Sequence, residues 1–185
     1  NEIKEVCTRV FSKIYDSITY PFKRAKEFID NTMNGIKDTI NKIKDLGFLV
    51  KLDTNGTSPD ILQYLIEEKL VDYVAMDIKN CLSKYSITTN CNCDISKIER
   101  SIDILLNSNI NYEFRTTVVK EFHDLDDFEK IGKMIKGAKN YFIQSYQHKD
   151  SVIDQSLNAH SKEMLTCFLE VVKKYVNNVS IRGID

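Results

Sequence analysis

The stretch "INYEFRTTVV", residues 110 to 119, decides the fold. Its β-branched and aromatic residues suit a pleated strand. Period-two geometry then sets Glu113, Arg115 and Thr117 on one face, against Tyr112, Phe114, Thr116 and Val118 on the other. The earlier run "VDYVAMDIK", residues 71 to 79, repeats the pattern, with Tyr73, Ala75, Asp77 and Lys79 opposite Val74, Met76 and Ile78. A third run, "KLDTN" at 51 to 55, sets Lys51, Asp53 and Asn55 opposite Leu52 and Thr54. A doubly wound sheet is covered by helices on both faces and reads apolar on both. A barrel carries helices only outside, so charge can turn inward toward a ligand at the carboxyl ends of its strands. The expectation is therefore an α/β protein built as a partial, TIM-like (βα) barrel with a polar lumen.

Helical patterns fill the gaps between these strands. Ile36, Ile40, Ile43 and Leu46 recur at helical spacing before Gly47, a C-terminal stop. Ser58 and Pro59 open a second helix, Asp94 caps a third and Asp124 a fourth, whose expected buried side is Leu125, Phe128, Ile131 and Ile135. "FLVKLD" (48–53), "NYFIQSY" (140–146) and "VSIRG" (179–183) read as strands, and 161–176 as a helix. Strands alternating with helices of this length imply crossover units and a parallel sheet. Residues 1–34 differ. Val6, Val10, Ile14 and Ile18 suggest an amphipathic helix broken at Pro21, with no convincing strand. Two parts are expected: a helical segment over 1–34 and the partial barrel over 35–185.

A net charge of −1 supplies no basic field for nucleic acid or anionic membranes, and no apolar run is long enough to span a bilayer. The charged amino end is no secretory signal, and the absence of a starting Met suggests a piece of something longer. Five irregularly spaced cysteines, at 7, 81, 91, 93 and 167, fit reduced thiols in a cytoplasmic protein rather than a disulfide framework.

Asp53 and Asp77 end neighbouring strands, and Lys79 and Arg115 stand close by in the pattern. Two carboxylates with two cations suit a zwitterionic ligand, with Arg115 offering a fork to its carboxylate. The same four charges also suit an internal salt-bridge network that neutralises itself.

The runs "GFLVKLDTNGTSPDILQYLIEEKLVDYVAMDIKN" (47–80), "YEFRTTVVKEFHDLDDFEKI" (112–131), "KNYFIQSY" (139–146) and "VSIRGID" (179–185) resemble the carboxyl-terminal half of radical S-adenosylmethionine enzymes. The group most resembled is the glycyl-radical activating enzymes, and within it the anaerobic ribonucleoside-triphosphate reductase activating proteins. The resemblance implies a partial barrel lacking its first strands here, an adenosylmethionine cofactor, a 4Fe-4S cluster and a glycyl-radical enzyme as partner. It also implies cofactor contacts from Asp53, Thr54, Asn55, Asp77, Lys79, Arg115 and Gln147, with a monovalent cation held at Asp53 and Asp77. His148 is expected on the surface.

The chain departs from the family at the cluster. Three cysteines spaced C-x3-C-x2-C hold three irons in the family, and here Cys7 stands alone in "EVCTRVF". Cys81 with the "CNC" of residues 91–93 could offer soft-metal ligands, but without a histidine or fourth cysteine nearby, reduced loop thiols are expected. The chain thus reads as a truncated or divergent activating enzyme without the cluster motif. The alternative is a non-catalytic module that binds adenosylmethionine or a partner.

Overall fold

A computed structural model describes residues 33–148 and 154–184 of the chain. The chain divides into two compact units, residues 1–48 and 49–185. In the first, residues 33–45 are helical, and Gly47 turns the chain at φ +82° with its N–H donating to the Lys44 carbonyl. That left-handed conformation explains the glycine at the stop. Of the expected stripe only Ile40 is buried; Ile36, Ile43 and Leu46 are exposed. The reading of Val6, Val10, Ile14 and Ile18 as a helix, and of 1–34 as a segment unlike the family, falls outside the described residues except at 33 and 34.

The second unit is a five-stranded parallel sheet. In chain order it runs β1 (Lys51–Thr54), α1 (Pro59–Glu67), β2 (Tyr73–Asp77), a 3-10 turn (Leu82–Lys84), α2 (Tyr85–Thr89), α3 (Ile95–Leu106) and β3 (Asn111–Val118). It continues with α4 (Leu125–Met134), β4 (Asn140–Ser145), α5 (Lys162–Val172) and β5 (Asn178–Arg182). The strand order is β1-β2-β3-β4-β5, each paired in parallel with the next. A doubly wound sheet reverses direction at a switch point. This sheet never does. Crossovers of one hand in one direction put every helix on the same face, which is the construction of a barrel wall.

Burial follows that geometry. Val74, Met76, Tyr112, Phe114, Tyr141 and Ile143 are at most 1% exposed and form the helix-covered face. Leu62, Leu65, Ile98, Ile102, Leu105, Ile131 and Leu165 pack there from the helices. Phe128 of α4 stacks on Phe168 of α5 with ring centroids 4.2 Å apart. The expected caps are present at Asp94, which accepts from the Ser96 N–H, and at Asp124, which forms a reciprocal capping box with Asp127. Ser58 precedes Pro59 without making a side-chain cap.

Two expectations are corrected. Leu125 is 42% exposed, because the first position of α4 faces away from the sheet, whereas Phe128, Ile131 and Ile135 of the same expected set are buried. The first strand begins at Lys51 rather than Phe48. Val50 is held by Asp72: its N–H donates to the Asp72 carboxylate at 2.7 Å, and its carbonyl accepts from the Asp72 N–H at 2.8 Å.

Candidate functional site

The polar faces of β1, β2 and β3 meet at their carboxyl ends. Strand register makes Asp77 and Arg115 direct partners, and Thr54 the partner of Met76, so Asn55 comes level with Asp77 one step further on. Asp53, Thr54, Asn55, Asp77 and Arg115 line a cleft of about 320 Å³. Lys79 lines a neighbouring cavity of about 420 Å³ with Thr57, Tyr85, Thr88, Thr89, Cys91 and Cys93. Asn55 belongs to both walls. Six of the seven cofactor residues expected from the sequence are thus brought together.

Gln147 is not among them. It is exposed, and its amide donates to the Gly183 carbonyl at 2.7 Å, tying the loop after β4 to the end of β5. His148 is exposed beside the Tyr146 ring.

The charges are already paired. Arg115 Nε donates to Asp77, and Arg115 Nη2 lies 3.4 Å from Asp53. Lys79 Nζ donates to the other Asp77 oxygen at 2.8 Å. Burial pushes the Asp77 carboxyl up, but the hydrogen bonds from Arg115 and then Lys79 outweigh it and hold the group below its usual range. Asp77 is therefore a carboxylate at neutral pH. Arg115 itself stands between the two carboxylates where the resemblance implied a monovalent cation. Its contacts to Asp53 and Asp77 occupy part of a five-donor guanidinium, which leaves N–H groups for a ligand carboxylate.

The loop "TNGT" (54–57) is shaped by its own polar groups. Gly56 N–H donates to Thr54 Oγ1, and both the N–H and hydroxyl of Thr57 donate to Asn55 Oδ1. From α3, Ser101 Oγ donates to the Gly56 carbonyl at 2.8 Å. These bonds explain why Thr54, expected on the apolar face, still reaches the cleft: the backbone curls at the strand end.

Further down the same face, Glu113 is 3% exposed and receives two bonds of 3.1 Å from Arg182 of β5. Arg182 lies over the Phe142 ring of the intervening strand, 3.2 Å from its centroid, and Tyr73 and Lys51 complete the shell of Glu113. Burial raises the Glu113 carboxyl, yet Arg182 and then Tyr73 bring it below the ordinary value. This cluster links β1, β2, β3 and β5 beneath the cleft. Sequence reasoning placed Glu113 on the ionic face but overlooked Arg182, whose signal was the alternation of Asn178, Ser180 and Arg182.

Asn80 and His123 were also missed, and no spacing points to them. Asn80 is fully buried; its amide donates to Thr88 Oγ1 and the Phe122 carbonyl, and its Oδ1 accepts from the Cys81 N–H. His123 is 3% exposed, with Nε2 at 2.9 Å from the Lys79 carbonyl and Nδ1 at 3.2 Å from the Val119 N–H. Nδ1 also lies 3.1 Å from the Val119 carbonyl, and the Nε2–H donates to the Lys79 carbonyl, so His123 fixes the backbone that carries Lys79.

Burial lowers the pKa of His123, against the Lys79 and Val119 backbone bonds and the charge of Asp127, which raise it; His160 lowers it slightly. The unfolded chain therefore takes up this proton at higher pH than the folded one. Stability is full above the ordinary histidine pKa of about 6.5 and is lost as pH falls through the folded value. A melting series from pH 7.5 to 5 is expected to show a declining midpoint that flattens in His123→Asn. An identical slope in the variant would assign the decline to another group.

Adenosylmethionine and the cluster fare differently against this site. The cleft sets the Asp53 and Asp77 carboxylates beside the Arg115 and Lys79 cations, and these residues offer both signs of charge that an amino-acid moiety would need. The cluster they do not fit. The cysteines are at 7, 81, 91, 93 and 167, with no C-x3-C-x2-C among them, and no group of three metal-ligating side chains assembles among the described residues. None of the described helices is long and apolar enough to cross a membrane.

The fold itself is shared with a solved domain of pyruvate-formate lyase-activating enzyme from Bacteroides vulgatus, at a TM-score of 0.67. The match covers 82% of this chain and 92% of that one at 11% identity, so the likeness is one of architecture. No family model matches the chain. A Methanocaldococcus jannaschii protein, assigned as a glycyl-radical enzyme activating enzyme, is 34% identical over 183 residues, covering 94% of this chain and 76% of its own length. The chain belongs to the radical S-adenosylmethionine group of glycyl-radical activating enzymes.

Proposed function

We propose that the cleft formed by Asp53, Thr54, Asn55, Asp77, Lys79 and Arg115 binds S-adenosylmethionine, and that the chain serves the activation of a glycyl-radical enzyme of the anaerobic ribonucleotide reductase kind. The observation that carries the proposal is Arg115, held between Asp53 and Asp77 with guanidinium donors left over. In this reading Arg115 and Lys79 orient the ligand carboxylate, and Asp53 and Asp77 face its ammonium and sulfonium charges. Bound there, adenosylmethionine would supply a sulfonium bond that a one-electron reductant from outside this chain's described residues could cleave for hydrogen abstraction from the partner. Residues of this chain bind and orient it, and no cluster-held step is assigned to them.

A second reading is a module that binds adenosylmethionine or the partner without catalysis. Titration calorimetry tests the shared part. Adenosylmethionine and its demethylated thioether analogue S-adenosylhomocysteine are expected to bind more tightly than adenosine; equal affinities would sink the assignment of the cleft. Anaerobic incubation with iron, sulfide and a strong reductant then separates the readings. Release of 5′-deoxyadenosine supports the enzyme, while binding without release supports the module.

A further inference from the structure

Cys91 and Cys93 flank Asn92 just beyond α2, whose C-cap Asn90 is in the left-handed conformation, φ +49°. The Cys93 N–H donates to the Cys91 carbonyl at 3.0 Å, a three-residue turn that folds the C-x-C run back on itself. The two sulfurs stand 2.7 Å apart as free thiols, inside van der Waals contact. Thr89 Oγ1 touches both, at 3.2 Å from Cys91 Sγ and 3.4 Å from Cys93 Sγ. Cys91 is exposed, Cys93 half-buried, and both line the cavity that shares Asn55 with the ionic cleft. Hydrogen bonding with Cys93 and then Thr89 holds the Cys91 thiol below its ordinary value.

We infer that Cys91 and Cys93 form a reversible dithiol–disulfide couple that exchanges with low-molecular-weight disulfides at the rim of the ligand cavity. Exposure and the hydrogen-bonded environment make Cys91 the attacking sulfur, and proximity makes Cys93 the resolving one. The Cys91 thiolate attacks one sulfur of a disulfide RSSR, and RS⁻ departs to be protonated. Cys93, its proton released to solvent, then attacks Cys91 Sγ and expels the second RS⁻. Two protons and two electrons leave the pair, and the small disulfide becomes two thiols. A trigonal or tetrahedral metal site is a poor fit, since no third ligating side chain joins the pair among the described residues.

The chain itself holds the controls. Cys81 is buried, while Cys167 is exposed on α5 without a partner thiol among the described residues. Full-length chain is equilibrated with oxidised and reduced glutathione, quenched with N-ethylmaleimide and mapped by peptide mass. The expected result is an internal Cys91–Cys93 disulfide, two mass units lighter than the dithiol, reversed by reduced glutathione, with Cys167 carrying glutathione alone. In Cys93→Ser the mixed disulfide at Cys91 is expected to persist, and iodoacetamide at pH 7 is expected to label Cys91 severalfold faster than Cys167. Glutathione retained separately on Cys91 and Cys93 in the parent chain, or labelling of Cys91 no faster than Cys167, would overturn the couple. So would a zinc or copper ion that survives dialysis and depends on both cysteines.

Discussion

Arg115→Ala is expected to weaken adenosylmethionine binding about thirtyfold, roughly 2 kcal/mol, the scale of a desolvated charge-assisted fork. Arg115 is 20% exposed and stands between Asp53 and Asp77, so its loss acts twice. The ligand carboxylate loses its fork, and the two aspartates face it with only Lys79 and Lys51 to offset them. Arg115→Lys restores a charge without the planar fork and should recover part of the affinity. Calorimetry with adenosylmethionine, alongside a melting curve showing that each variant is folded, gives the answer. Unchanged affinity in a folded Arg115→Ala would mean that the cleft is only a self-neutralised network, the other way its four charges can be read.

That ambiguity marks where sequence reading stops. Alternation in "INYEFRTTVV" and "VDYVAMDIK" was enough to put Glu113, Arg115, Asp77 and Lys79 on one face, because a strand's period is fixed at two. It was also enough to separate a barrel wall from a doubly wound sheet, and the sequential strand order agrees. Which charge meets which was not legible. Glu113 pairs with Arg182, 69 residues away, because β5 lies only two strands from β3 and Phe142 supplies a flat surface between them. The start of β1 was not legible either. Phe48 and Leu49 have strand-like side chains, yet they are 64% and 84% exposed, and the Asp72 carboxylate takes the Val50 N–H. Gln147 fell to a similar local competitor, the Gly183 carbonyl. His123 and Asn80 act through backbone carbonyls and amides, which leave no residue pattern to read.

Gly56→Ala is expected to cost about 3 kcal/mol of stability, combining left-handed strain with overpacking of a full core. Gly56 sits at φ +78°, and a Cβ there would stand 2.2 Å from the Met76 methyl group. Met76 is a flexible residue, but it is 0% exposed on the helix-covered face, so the methyl has no free space to enter. Relief must come from the loop, whose Gly56 carbonyl is held by Ser101 of α3 and whose neighbours Thr54 and Asn55 form the cleft wall. Stability and ligand affinity should therefore fall together, with a melting midpoint lower by about 10 °C. Gly56→Asn separates the causes: asparagine tolerates positive φ, so it removes most of the backbone strain and keeps the crowding. If Gly56→Asn melts like the parent chain, the left-handed turn alone sets the requirement. If both variants fall equally, it is Met76 that demands a residue without Cβ in the 54–57 loop.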